Sequence, residues 1–134
     1  MPLQWTPALA VGIDEIDAQH QELFRRAARL LEALKQGRPE ELREVIEFLH
    51  AYAVEHFGLE EAWMRDVQYP GYVRHKAEHD RFITDLLALA ERQQQRLPSA
   101  FTALEVNAWL GEWLRRHVSG TDRELGRYLA RRTA

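Results

Sequence analysis

Apolar residues recur along most of the chain at the spacing of an amphipathic α-helix. From about residue 17 onward they return at intervals of three, four and seven positions, which places them on one face of a helix. The predicted helices cover about residues 17–35, 39–64, 73–95 and 100–117, with a short last helix from residue 121. The first sixteen or so residues contain Pro7 and Gly12 and lack this period, so they predict an ordered arm or loop.

Turn-forming residues separate the first four predicted helices. Gly37 ends the first helix, and Pro39 suits the first turn of the second because a missing N–H is harmless there. A loop containing Pro70-Gly71 follows the second helix. Leu97-Pro98-Ser99 follows the third, with Ser99 as the predicted N-cap of the fourth. Connections this short predict antiparallel neighbours.

A different signal marks the end of the fourth helix. Ser119-Gly120 is expected to stop it, and Thr121-x-x-Glu124 has the form of a capping box that starts the last helix. Taken together, the elements predict an all-α fold, namely an up-down-up-down antiparallel four-helix bundle with an N-terminal arm and a short C-terminal helix. We expect a single domain over residues 1–134.

Several of the predicted apolar stripes also carry side chains that can bind metals. His56 and Glu60 are four residues apart, as are His75 and His79, so each pair lies on one helix face. These positions continue stripes that otherwise bury leucine and valine, where an unpaired charge costs several kcal/mol. Something must therefore compensate for these polar groups.

The positions of these side chains along their helices indicate one shared site. The first and third helices carry these side chains near their N-terminal ends, and the second and fourth helices carry them near their C-terminal ends. In an up-down bundle these four helix ends lie together. Asp122, five residues beyond His117, can fold back over that end. The residues expected to converge are His20, His56, Glu60, His75, His79, His117 and Asp122.

The composition of the chain narrows the chemistry of this site. Of its 134 residues, 46% are hydrophobic and 29% charged, and the formal net charge is -3, which offers no basic field for nucleic acid or an anionic membrane. There is no cysteine, so disulfides, iron–sulfur clusters and thiolate zinc sites are excluded. The sequence shows neither a transmembrane run nor a basic leader pattern, which makes the cytoplasm the default expectation.

The number and type of ligands indicate two metal ions. Five imidazoles and two carboxylates are too many for a single tetrahedral zinc ion. They are also too rich in nitrogen for Mg²⁺ or Ca²⁺, which prefer oxygen ligands. Two transition-metal ions bridged by carboxylates fit the count, and iron suits mixed imidazole and carboxylate ligation.

Short motifs surround each of these ligands. They are Val11-Gly12-Ile13 with Asp17-Ala18-Gln19-His20, His56-Phe57-x-x-Glu60-Glu61, His75-x-x-x-His79, and His117-x-x-x-x-Asp122. In these motifs the chain resembles the hemerythrin family, and within it the bacterial single-domain members, the bacteriohemerythrins. The resemblance extends over nearly the whole chain, and every ligand position of the family pattern is filled.

The resemblance implies two iron ions with unequal coordination. One iron would have three histidine ligands, which are His75, His79 and His117. The other would have two, which are His20 and His56. Both carboxylates would bridge the irons together with an oxo or hydroxo group, so that the two-histidine iron is five-coordinate and open to a small ligand. The implied function is reversible O2 binding for storage, transport or delivery, without catalysis.

Apolar residues near the ligands are expected to wall the open position and to exclude water. They are Leu23, Phe24, Phe57, Trp113, Leu114 and Val118. His50 lies beside the ligand line and is interpreted as surface or flank packing. Asp17, Glu61 and Asp80 neighbour ligands, and the sequence leaves open whether they orient imidazole N–H groups, cap helices or face solvent.

Two other functions stay open at this point. An O2- or redox-sensing module would usually be fused to a signalling domain, and no such domain is recognised in this sequence. A di-iron peroxidase or iron-handling protein of the ferritin-like kind uses two Glu-x-x-His motifs. This chain has one, Glu47-x-x-His50, away from the ligand line. The expected partners are O2 and, for delivery, an O2-consuming enzyme; we expect a monomer that binds neither nucleic acid nor membrane.

Overall fold

The computed structural model describes residues 4–37, 39–95 and 100–133, and every regular element in these ranges is helical. The five α-helices are α1 (Asp14–Gln36), α2 (Pro39–Asp66), α3 (Tyr72–Gln95), α4 (Ala100–Arg116) and α5 (Arg123–Thr133). A 3₁₀ turn (Pro7–Leu9) lies in the arm, and a π-helical turn (His117–Asp122) joins α4 to α5. The predicted all-α bundle is confirmed. The predicted break at Leu97-Pro98-Ser99, with its N-cap, lies outside the described residues.

Local chemistry sets the bounds of α1. The helix begins at Asp14, three residues earlier than predicted, and its first turn carries Asp14, Glu15 and Asp17, which the positive end of the helix dipole favours. It ends at Gly37, whose φ of 67° is the left-handed conformation that glycine adopts without strain. The Gly37 N–H donates to the Ala33 carbonyl at 3.0 Å.

The main apolar core lies between the four long helices. Helix α1 packs against α2 and α4, and α2 also packs against α3. Each helix contributes fully buried side chains to one cluster, among them Leu30, Leu49, Leu86 and Leu110. Burial of each such side chain contributes roughly 1.5–3 kcal/mol. Four buried apolar residues lie outside that cluster, in the arm, near the start of α1, near the end of α2 and near the start of α5, and thus at one end of the bundle; they are Val11, Ile16, Met64 and Leu125.

The chain does not break at Ser119-Gly120, so this prediction is wrong. Helix α4 passes through the π-helical turn directly into α5. The Ser119 hydroxyl donates to the Arg115 carbonyl within the same helix, so it does not terminate the helix. The capping box is also absent, because the Thr121 hydroxyl donates to Glu78 Oε1 at 2.8 Å instead of capping α5.

The described part of the N-terminal arm, residues 4–13, contains no α-helix and packs against the bundle. Trp5 and Leu9 pack against the main core. The Val11 N–H donates to Asp17 Oδ1 at 2.8 Å, so Asp17 holds the arm and has no contact with an imidazole among the described hydrogen bonds. Gly126 of α5 lies directly against the Val11 backbone. None of the described helices combines the length and apolar character needed to cross a bilayer.

Candidate metal centre

All seven predicted ligands lie together between the main core and the apolar end of the bundle. Each of them is at most 2% exposed. Their nitrogen and oxygen atoms form two overlapping groups, and within each group these atoms lie within 4.8 Å of one another. The three-histidine subsite contains His75, His79 and His117, and the two-histidine subsite contains His20 and His56. Both groups include Glu60 and Asp122.

Helix geometry brings most of these side chains to the site, but Asp122 depends on the π-helical turn. In a regular α-helix a residue five positions after His117 would point about 140° away from it. A π-helical turn bonds residue i to i+5 and so brings such positions back to one face. His117 and Asp122 are the first and last residues of this turn, and the nearest atoms of the two side chains, Nε2 and Oδ1, are 3.2 Å apart.

The two oxygens of Asp122 face different subsites. Oδ1 lies 2.9 Å from His75 Nε2 and 3.2 Å from His117 Nε2. Oδ2 lies 3.0 Å from His20 Nε2, on the other side. A carboxylate in this position can contribute one oxygen to each of two metal ions.

Glu60 also lies between the subsites. Its Oε1 is 3.2 Å from His79 Nε2 and 3.4 Å from His56 Nε2, which belong to different subsites. Its Oε2 is 4.0 Å from His20 Nε2. Glu60 is therefore the second carboxylate shared by both groups of histidines.

Three of the five imidazoles donate their outer N–H group, the one at Nδ1 that points away from the site, to a side chain on another helix. His79 Nδ1 donates to Glu61 Oε2 at 2.9 Å, and His117 Nδ1 donates to Glu78 Oε1 at 2.8 Å. His56 Nδ1 donates to Gln19 Oε1 at 2.6 Å. Each bond fixes the ring orientation and leaves the Nε2 lone pair directed into the site.

Gln19 and Glu78 were not identified from the sequence, whereas Glu61 was a candidate. Their positions in the sequence are a weak indication of this role. Gln19 and Glu78 each precede one histidine but accept a hydrogen bond from a different histidine, which lies on another helix. Asp80 has an exposed ion pair with Lys76 instead. Neither metal-competent group includes His50, which is partly exposed, in agreement with its exclusion.

The electrostatics of the site differ strongly from one histidine to another. Burial lowers the pKa of His56 to about 4, although Glu60 partly opposes this shift. Burial would also lower the pKa of His117, but the negative charge of the adjacent Asp122 carboxylate and the hydrogen bond to Glu78 raise it to about 10. The pKa of Asp122 is lowered despite complete burial, because His117, His20 and His75 surround its carboxylate.

The atoms that point into the site are arranged for a cation. His79 Nε2 and His117 Nε2 face each other at 3.1 Å, and the outer N–H bonds of both rings leave lone pairs at these two nitrogens. Two opposed lone pairs repel unless a proton or a metal ion lies between them. Several further buried atoms have no hydrogen-bond partner among the described residues, including both oxygens of Glu60 and of Asp122 and Nε2 of His20, His56 and His75. Metal ions would satisfy these atoms together.

Aromatic rings hold the three-histidine subsite from outside. Phe57 stacks on His79 with ring centroids 3.9 Å apart and planes at 6°, and Trp113 stacks on His117 at 4.4 Å and 14°. Trp113 is half-buried, and the ligand ring that it contacts belongs to the three-histidine subsite. The other residues predicted to wall the open position are buried in the main core cluster; they are Leu23, Phe24, Phe57, Leu114 and Val118.

Comparison with known proteins places this arrangement in one family. The family model described as "Hemerythrin HHE cation binding domain" matches residues 11–129. The chain belongs to the hemerythrin family. Because the matched family is cation-binding and the buried donors fit a cation, the cluster is a metal centre.

Individual hemerythrin relatives match over most of their length. The bacteriohemerythrin of Stenotrophomonas maltophilia is 31% identical over 120 residues, which are 90% of this chain and 76% of the relative. That of Clostridium acetobutylicum is 28% identical over 124 residues, or 90% of this chain and 95% of the relative. A crystal structure of wild-type hemerythrin has a TM-score of 0.82 and 25% identity, and covers 94% of this chain and 96% of that chain.

Proposed function

We propose that this hemerythrin-family protein binds O2 reversibly at a di-iron centre, for storage, transport or delivery, and that it is not an enzyme. The observation that carries the proposal is the inequality of two subsites that share the same two carboxylates. One subsite has three imidazoles and the other has two, from His20 and His56. An equal number of bridges to both metals then leaves one coordination position free on the two-histidine side.

The donor set supports iron as the metal and two as the number. Imidazole and carboxylate ligands without thiolate suit iron, and two carboxylates shared by both groups of histidines fit two ions close together. When bound, the iron pair would supply the electrons that make O2 binding reversible. Its high ratio of imidazole to carboxylate favours binding over splitting of O2, since fewer anionic ligands give less electronic push.

The protein's own contribution is to position the ligands and to keep water out. The His56 ring is fixed by Gln19, and the His20 ring lies edge-on to it with centroids 5.0 Å apart. Leu23, Phe57 and Leu114 are buried in the main core cluster, and the Phe57 ring contacts the rings of both His56 and His79. A dry pocket of this kind slows the entry of protons and water, which would otherwise convert the centre irreversibly to its oxidised form.

The test is a spectral cycle on the iron-loaded full chain. Iron is counted per chain, and visible spectra are recorded in the reduced state, after addition of O2, and after removal of O2. We expect two irons, a nearly colourless reduced form, and a coloured form that bleaches again when O2 is removed. Rapid and irreversible conversion to a ferric form would contradict reversible binding.

A further inference from the structure

The partners of the outer imidazole N–H groups differ in charge between the two subsites. In the three-histidine subsite, His79 and His117 donate to the carboxylates of Glu61 and Glu78. In the two-histidine subsite, His56 donates to the neutral amide oxygen of Gln19. Among the described residues, Nδ1 of His20 in this subsite and Nδ1 of His75 in the three-histidine subsite have no partner. The negative charges are thus concentrated behind one of the two metal positions.

Glu78 is held firmly in this role. Its Oε1 accepts from both His117 Nδ1 and the Thr121 hydroxyl, each at 2.8 Å, while Arg74 Nε lies 3.7 Å from its Oε2. The side chain is 29% exposed and lies on the wall of a groove of about 670 Å³ between α3 and α4. Thr121 belongs to the π-helical turn, which therefore positions Glu78 as well as Asp122.

Ring stacking fixes the direction of both hydrogen bonds. Phe57 lies flat against His79 and Trp113 lies nearly flat against His117, so the stacking holds each imidazole in the plane in which its Nδ1 reaches its carboxylate. Asp80 gives the contrast, because it follows His79 in the chain but is 62% exposed and pairs with Lys76. Proximity in sequence alone does not place an acid behind a ligand here.

A carboxylate that accepts an imidazole N–H makes that imidazole a stronger donor to a metal ion than a neutral amide does. Stronger donors stabilise the more highly charged state of the metal. We propose that Glu61 and Glu78 are positioning residues that act through His79 and His117 to lower the reduction potential at the three-histidine subsite, whereas Gln19 leaves the two-histidine subsite poorer in electrons. This inference rests on the proposed function only in taking the metals to be iron.

The experiment is an anaerobic redox titration of the iron-loaded full chain and its Glu61→Gln and Glu78→Gln variants. Both variants should have a higher midpoint potential than the parent chain, and Gln19→Glu should shift the potential in the opposite direction. Competition with a chelator should show that each glutamine variant binds iron(II) about 10- to 100-fold more weakly. Because no O2 is added, these results do not depend on whether the protein binds O2 reversibly.

Two further variants separate the proposed role from general charge or folding effects. Asp80→Asn removes one negative charge near the site without touching a ligand, and it should leave the potential unchanged. Thr121→Val keeps the Glu78 carboxylate but frees it from one hydrogen bond, and it should raise the potential less than Glu78→Gln does. Equal shifts for Asp80→Asn and Glu78→Gln, or unchanged potentials in both glutamine variants, would overturn the proposal.

Discussion

At the scale of single residues, the histidines of this chain differ because of what surrounds them. His117 is flanked by Asp122 and Glu78, which together favour its charged form. His56 is also buried, but its outer partner is the neutral Gln19, and burial favours its neutral form. His50 is partly exposed and lies outside both groups of ligands. One residue type therefore gives a cation, a neutral ligand and an uninvolved side chain.

These differences predict the pH dependence of the metal-free protein. The pKa of His56 is lowered from 6.5 to about 4, so its contribution to the free energy of unfolding is complete above pH 6.5 and is lost as the pH falls towards 4. This loss is roughly 3 kcal/mol. The pKa of His117 is raised from 6.5 to about 10, so its contribution is complete below pH 6.5 and is lost as the pH rises towards 10. Stability should therefore be greatest near pH 6.5.

Urea unfolding of the chelated protein between pH 4 and 10 checks this expectation. In the metal-loaded protein the alkaline loss should disappear, because a ligating imidazole is neutral and its proton has already been released. Stability that rises between pH 6.5 and 9 in the metal-free protein would be incompatible with the electrostatics described above.

Removal of single histidines should distinguish the two-histidine subsite from its surroundings. If O2 binds on the two-histidine side as proposed, His20→Ala and His56→Ala each remove a ligand of that side, so both should abolish reversible O2 binding. His50→Ala is the matched control, and its visible spectra should equal those of the parent chain. A changed spectrum in His50→Ala would show that His50 belongs to the site.

The convergence of these seven side chains was predictable from the sequence because they interrupt apolar stripes with helical periodicity. The partners of the imidazoles were harder to predict, because Gln19 and Glu78 are polar residues whose positions in sequence resemble those of ordinary surface residues. Their roles depend on which helix lies opposite, and that becomes visible only when the helices are packed.

At the scale of elements, the π-helical turn is the feature that the sequence pattern did not predict. Ser119-Gly120 looks like a helix end because both residues are poor helix formers, yet the chain stays helical through them. The five-residue spacing of His117 and Asp122 is an indication of such a turn. Two residues five positions apart do not lie on the same face of a regular α-helix, but they do in a π-helical turn. The helix bounds of α2 and α3 differ from prediction by at most two residues.

Changing the length of the π-helical turn tests its role. Insertion of one alanine between Gly120 and Thr121 makes the spacing of the two ligands six, about 120° apart in an α-helix, and should abolish binding at the three-histidine subsite. Deletion of Gly120 makes the spacing four, about 40° apart, and should retain metal. Iron counts and far-ultraviolet circular dichroism check this, and an insertion variant with two irons would refute it.

A second element-scale prediction concerns the contact between the arm and α5. A Cβ at position 126 would clash with the Val11 carbonyl oxygen, so Gly126→Ala should displace the arm and destabilise the fold by about 1–3 kcal/mol. Gly58→Ala is the control, because a Cβ at position 58 would meet nothing within 4 Å and alanine favours the helix by about 1 kcal/mol. Chemical denaturation should give opposite signs; equal effects would contradict the tight contact.

At the scale of the whole molecule, the protein consists of an apolar core, a polar layer and an apolar closing layer. The main core holds the four helices in register, and Val11, Ile16, Met64 and Leu125 close the far side. The site therefore sits between two dry regions that fix its ligands and limit access of water. This layering follows from the helical pattern, which is why the bundle and the end occupied by the site were predictable from sequence.

We propose that two metal ions lie between these layers and share Glu60 and Asp122. The most direct measurement is anomalous X-ray diffraction at the iron edge from crystals of the iron-loaded chain. We predict two peaks roughly 3–4 Å apart, one beside His20 and His56 and the other beside the remaining three histidines. A single peak, or iron bound away from the two carboxylates, would contradict the account.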